Sequence, residues 1–312
     1  MQHQYQKRTF LKPNVSRYTP LLYSFILLLN PMQSFAENLG ITTPRITAMG
    51  QAGIGGSRAN SALVLNPAGM SASAFYAIDA NYFRSAEGVN RLGINIVDSQ
   101  LRYTRDKIAL GIGYQTQLKS GETSSHDALI GISKAISKIG GALILAGIST
   151  RYIYDEPSGR DGFNVNAGLM LQLSSIFSIG AVGSDLLEES YRNAGVGIGL
   201  NTQRLSLNID YLRQLQNADQ QYRLGAEAML SDSIVIRAGY LHNQSSTEEE
   251  TASLLQTYRF TNSQWSVGFA LLPQISSTKT GSQLSFSYSQ PIEGKDFFFG
   301  LSLTTYLSMN KG

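Results

Sequence analysis

Phe163-Asn164-Val165-Asn166-Ala167-Gly168-Leu169-Met170-Leu171-Gln172 decides the fold. In an extended chain, Phe163, Val165, Ala167, Leu169 and Leu171 share one face, while Asn164, Asn166, Gly168, Met170 and Gln172 share the other. A period of two means strand. Upstream, Ile108, Leu110, Ile112 and Tyr114 oppose Ala109, Gly111, Gly113 and Gln115, and downstream Ala194, Val196, Ile198 and Leu200 oppose Asn193, Gly195, Gly197 and Gly199. The pattern runs on through Trp265, Val267, Phe269 and Leu271, then Leu284, Phe286 and Tyr288, then Phe297, Phe299, Leu301 and Leu303. A soluble sandwich would carry Lys, Glu and Thr on its watered face. Here the second face is small and mostly uncharged, which fits the inner wall of a closed barrel whose bulky face meets lipid.

From Phe75 onward the chain divides into about fourteen such segments, beginning at Phe75, Leu92, Lys107, Asp127, Ala142, Gly162, Ile176, Asn193, Leu205, Tyr222, Ser233, Trp265, Ser282 and Phe297. The expected fold is all-β: a transmembrane antiparallel barrel over residues 74–312. If the first strand rises from the periplasm, the short turns at 137–140, 174–175, 201–204 and 230–232 lie on that side. The segments 118–125, 155–161 and 243–264, the last carrying Glu248, Glu249 and Glu250, are expected as outer loops. Connections 98–106 and 272–281 are long for periplasmic turns.

Before the strands come two other segments. Residues 1–36 carry Lys7, Arg8, Lys12 and Arg17 without an acid, then an apolar run at 21–29 and small residues at Ser34-Phe35-Ala36, the layout of a secretory signal peptide. Its removal would leave 276 residues with 21 Lys+Arg against 22 Asp+Glu. A nearly neutral chain gives no support for nucleic-acid binding. With no Cys, neither disulfides nor lipid attachment through a thiol is available. Charged residues are 15% of the chain, lean for a soluble protein, where about a quarter is usual.

Residues 37–73 have no clear period and are rich in small residues, and we expect them to form a hatch inside the barrel. Gly50, Gly53, Gly55 and Gly56 suit close approach to a wall of small side chains, and Gly53 to Gly56 is the part expected to move. Asn66, Pro67 and Ala68 form the expected turn before the first strand. The glycine run is no phosphate loop, since no strand precedes it and no βαβ unit encloses it.

Catalytic and metal constellations are scarce. Only His126 and His242 remain beyond the leader's His3, and both are read as solvated residues near strand ends. No catalytic residue, metal or cofactor is expected. One polar cluster stands out: Arg223, Glu227 and Arg237 fall on the small-residue face of consecutive strands, with Asp210 on the strand before. Hairpin register places Glu227 opposite Arg237, as an ion pair that braces the wall or holds the hatch, or as a substrate contact.

Met49-Gly50-Gln51-Ala52-Gly53, Asn66-Pro67-Ala68-Gly69-Met70 and the late pair Arg223-Leu224-Gly225-Ala226-Glu227 with Ile236-Arg237-Ala238-Gly239-Tyr240 resemble the FadL-like outer-membrane family, the long-chain fatty acid and aromatic hydrocarbon transporters with their PorV-like relatives. The first two resemble that family's N-terminal hatch and the last its late strand pair. The resemblance implies a monomeric fourteen-stranded barrel in the bacterial outer membrane, closed by a hatch. It would pass hydrophobic small molecules or lipids, with a sideways opening into the bilayer. It also implies an alternative, a PorV-like accessory barrel that binds periplasmic or secreted protein partners and transports nothing. A soluble secreted β protein is the third reading. The chain is shorter than the usual fatty-acid transporters, and its outer loops are modest.

Overall fold

Alternating side chains give each strand one bulky and one small face, and the computed structural model closes fourteen of them into a barrel. It describes residues 40–307 except 87, 100–107, 120–121, 156–159, 217–218, 245–262, 273–280 and 293–295. The expected leader, residues 37–39 of the expected hatch and most of the outer loop at 243–264 lie outside the described residues, as do most of the connections 98–106 and 272–281.

In chain order the strands are β1 Tyr76–Ser85, β2 Asn90–Asp98, β3 Ile108–Lys119, β4 Glu122–Ile139, β5 Ala142–Asp155, β6 Arg160–Gln172, β7 Phe177–Ser184, β8 Asn193–Asn201, β9 Leu205–Gln214, β10 Gln220–Ser231, β11 Ile234–Gln244, β12 Gln264–Leu271, β13 Gly281–Pro291 and β14 Phe298–Leu307. Each pairs antiparallel with its sequence neighbours, and β1 closes on β14 from Tyr76↔Leu307 to Ser85↔Phe298. All fourteen expected strands are therefore present. Closure gives every strand a partner on both sides, the condition for a sheet to cross hydrocarbon.

The two faces divide as the pattern requires. Ile112, Ile130 and Phe163 point outward at 52%, 65% and 67% exposure, whereas inward-facing Ala109, Asn95 and Asn164 are buried. At the end of the barrel opposite the start of β1, outward aromatics cluster: Tyr152 lies 5.0 Å from Phe163 between ring centroids, Tyr211 5.3 Å from Tyr222, and Trp265 5.4 Å from Tyr288. That is the interfacial girdle of a membrane barrel, at one rim.

Of the expected outer loop at 118–125, residues 118–119 and 122–125 are instead strand. β3 runs to Lys119 and β4 resumes at Glu122, with Lys119↔Glu122 in register. Polar residues there had suggested a loop, but a strand that leaves the hydrocarbon can be polar on both faces. β4 also continues into the expected turn at 137–140, as far as Ile139, with a register shift between Ala135 and Ser137. The chain reverses at Gly140 and Gly141, whose φ values of +56° and +94° match a tight hairpin turn.

Candidate functional site

Inside the barrel, at the end where β1 starts, residues 40–73 pack against inward-facing wall residues. The segment holds two short helices, α1 Pro44–Ala48 and α2 Ala59–Leu65, and a 3-10 turn at Pro67–Ala72. Thr43 caps α1 by accepting from the Ile46 N–H at 3.3 Å, with Pro44 in the first helical turn. Asn66 caps the 3-10 turn in the same way, its Oδ1 accepting from the Ala68 N–H at 3.2 Å. Helices this short are marginal alone, so the wall must hold them.

Three apolar clusters provide part of that hold. Leu63, Met70 and Ile41 meet Val97, Ala109 and Leu129. Ala68 and Ala72 meet Leu145 and Met170, and Ile54 meets Val182 and Leu212. Small wall residues make room for them: an added Cβ at Gly131 would lie 2.8 Å from Leu63, and one at Gly197 2.9 Å from the Gly55 nitrogen.

The sequence-predicted residues sit as follows. Gly50, at φ +60°, donates its N–H to Ser266 Oγ at 3.1 Å, and an added Cβ would lie 2.6 Å from the Tyr240 nitrogen. Gly53, at φ +155°, and Ile54 both donate to one Asp210 carboxylate oxygen, at 2.6 and 3.0 Å. Gly55 accepts from Ser178 Oγ at 2.6 Å, and Gly56 accepts from Asn201 Nδ2 at 3.3 Å. The stretch expected to move is thus held by the wall at every residue from Gly53 to Gly56. Asn66 is fully buried, and its Nδ2 donates to the Ile54 and Leu169 carbonyls at 2.8 and 3.1 Å. Pro67 and Ala68 lie against Gly147.

The expected polar cluster is arranged as two groups. Glu227↔Arg237 is in register across the β10–β11 hairpin, and Arg237 Nε donates to Glu227 at 2.6 Å. Asp210↔Arg223 is in register between β9 and β10. Arg223, however, donates to the Gln51 carbonyl at 3.3 Å and to Gln221 at 2.7 Å, while Asp210 grips Gly53 and Ile54. Both groups therefore grip residues 40–73.

Sequence reasoning missed Arg45. Its Nε and Nη2 donate to both Glu227 oxygens, at 3.0 and 3.1 Å, and Nη1 donates to Ser61 at 3.3 Å. Two arginines, one on α1 and one on β11, therefore share a single carboxylate. Arg237 is 1% exposed and Glu227 20%, so the triad is largely out of water. A signal existed, for Arg45 is the lone charge between Glu37 and Arg58 in a stretch of small and apolar residues. A second grip was also missed, where the Ile41 N–H donates to Asp127 at 3.2 Å and the Thr42 N–H to Gln115 at 3.2 Å.

Both histidines lie near strand ends, as expected, and are partly exposed. His126 lies between Tyr114 and Tyr154 in the aromatic rim, at 6.0 and 6.1 Å between ring centroids, and His242 stacks with Tyr222 at 6.3 Å. Both occupy outward positions at the depth where amphipathic rings collect. Among the described residues, no group of three or more His, Cys, Asp or Glu is placed to hold a metal.

A closed barrel with an apolar exterior and a chain segment held inside its bore is a membrane-spanning β-barrel protein. Within that class its fold is shared with FadL homologues and hydrocarbon channels. A FadL homologue of Pseudomonas aeruginosa aligns over 87% of this chain and 99% of its own, at 10% identity and a TM-score of 0.58. The toluene transporter TbuX of Ralstonia pickettii aligns over 88% and 100%, at 12% and 0.57. The toluene transporter TodX of Pseudomonas putida aligns over 88% and 100%, at 10% and 0.54. At such identities the likeness is one of fold. No family model matches the sequence, and no curated protein matches it.

Proposed function

We propose that this protein is a channel of the bacterial outer membrane that admits small hydrophobic molecules, fatty-acid-like or aromatic hydrocarbons, with residues 40–73 as its hatch. The observation that carries the reading is the filled bore. A diffusion porin leaves a watered passage, whereas here two carboxylates and Asn66 hold a chain segment across the lumen. Such a barrel suits a solute that gains nothing from water and can travel on apolar surface.

An apolar surface lies beside a weak place in the wall. β6 begins at Arg160 but pairs with β7 only along residues 167–172, because β7 ends at Ser184. Beyond that point the neighbour of β6 is the connection 185–192, joined to it by one backbone hydrogen bond, Leu186 N–H to the Val165 carbonyl at 2.9 Å, and by the Asn166 and Asn164 side chains, which accept from the Asp185 and Leu187 N–H groups at 2.9 and 3.1 Å. Asp185, where the connection begins, has φ +54°, a strained value for a residue with a side chain. Ile54, Val182 and Leu212 pack there as a buried apolar cluster between the inner segment and the wall, which a solute would reach only once that segment moves. This is the place on the wall where a sideways exit into lipid costs fewest ladder hydrogen bonds.

The test is uptake of radiolabelled toluene by Gram-negative cells that lack hydrocarbon channels of their own. Cells carrying the protein should take up toluene several-fold faster than cells with an empty vector. Equal rates with the protein folded in the outer membrane contradict the reading, and recovery of an exported protein bound to the barrel would then favour the accessory role.

A further inference from the structure

On the outside of the barrel, at the aromatic rim, two arginines stand together. Arg213 is exposed on the outward face of β9, which it shares with Ile209 and Tyr211. Its register partner on β8 is Ala194, and two positions on, the Leu215 N–H donates to the Arg192 carbonyl at 2.9 Å. Arg192 therefore lies diagonally across from Arg213, on the same outward face by strand parity and within reach of a long side chain. Among the described residues, no carboxylate pairs with either arginine. Arg192 donates only through Nε, to the Leu186 carbonyl at 3.1 Å, and Arg213 has no side-chain partner. Like charges set side by side on a sheet repel, so an anion between them is favoured. Gln220, the register partner of Arg213 on β10, accepts from the Tyr222 hydroxyl through Oε1 at 3.1 Å, which leaves its Nε2 to donate. Arg84 holds the corresponding place on the β1–β2 hairpin, between Asn90 and Phe299, without a second arginine beside it.

We propose that Arg192, Arg213 and Gln220 bind a phosphate of the phosphorylated glycolipid of the outer leaflet, the lipid A part of lipopolysaccharide. Guanidinium groups match phosphate oxygens in fork geometry, and a phosphate monoester carries close to two charges, one for each arginine. A phosphodiester lipid carries only one. The rings of Tyr211 and Tyr222, 5.3 Å apart, offer flat apolar faces with hydroxyls at headgroup depth, which suits a sugar. Further into the membrane, Val196, Ile209 and Leu224 face outward and would carry the acyl chains. The inference rests on the outer-membrane placement in the reading above and not on transport, so loss of this site and absence of toluene uptake are separate results.

Native mass spectrometry of the purified protein in detergent, titrated with diphosphoryl lipid A, tests this. Lipid A should bind saturably, while phosphatidylglycerol and lipid A stripped of its phosphates should bind at least tenfold more weakly. Arg192→Gln combined with Arg213→Gln should raise the Kd for lipid A at least tenfold, about 1.4 kcal/mol, with the unfolding temperature unchanged. Arg84→Gln, a change of one charge at the same rim, should leave the Kd as it is. Arg213→Glu sets an anion against the phosphate at an exposed position without partners; it should weaken binding at least as far and serves if the double variant does not fold. Absence of saturation, equal binding of either control lipid, an equal loss in Arg84→Gln, or unchanged affinity in a folded Arg213 variant would each overturn the proposal.

Discussion

Glu227 accepts from Arg45 and Arg237, and this sharing makes it the most consequential wall side chain that holds the inner segment. Exchange of Glu227 for Gln leaves two mostly buried guanidinium groups with one neutral partner. Breaking a buried ion pair costs about 3–5 kcal/mol. Since a fifth of Glu227 and a quarter of Arg45 remain exposed, solvent reduces that to about 2 kcal/mol. Thermal unfolding in detergent should shift down accordingly, and an unchanged midpoint would remove the ion triad as a brace. Asn66 acts through hydrogen bonds alone. Asn66→Ala deletes one cap and two donors at a fully buried position, at a cost of about 2 kcal/mol. Heating followed by gel electrophoresis, in which folded and unfolded barrels migrate differently, should show Asn66→Ala unfolding at a lower temperature.

At the scale of elements, the strands were legible in the sequence because each face meets a different medium. Lipid selects Ile, Leu and Phe at every second position, and a filled lumen selects Gly, Ser and Asn opposite them. The Glu227↔Arg237 pair was legible too, since the short turn after β10 fixes the register. Arg45 was not, because a five-residue helix has no strand register to place it. Nor was the short β6–β7 seam. The connection 185–192 includes Leu186 and Leu187, so its composition does not mark where pairing stops. For the hatch as an element, deletion of residues 53–67 should produce a barrel that conducts ions in planar bilayers, or one that fails to assemble. A deletion that leaves conductance, assembly and toluene uptake unchanged would remove the hatch from the account.

For the whole molecule, the exterior decides the surroundings. Ile130 and Phe163 are 65% and 67% exposed, and many other Ile, Leu and Val side chains of the wall also face outward. Burying one such side chain is worth about 1.5–3 kcal/mol, so the wall summed over its strands requires hydrocarbon. Removal of detergent should therefore aggregate the protein, and light scattering that shows a stable monomer in plain buffer would contradict a membrane barrel. The proposed channel function requires that solutes pass only when the inner segment leaves the wall. The chain has no Cys, so a pair of Cys substitutions, one in α1 and one on an inward-facing wall residue at a Cβ separation of about 3.5–4.5 Å, can tether the two. Uptake of radiolabelled toluene by cells carrying this double variant is the most direct measurement. The account predicts uptake near the empty-vector rate while the disulfide is intact and recovery after reduction; rapid uptake with the disulfide verified as formed would contradict it.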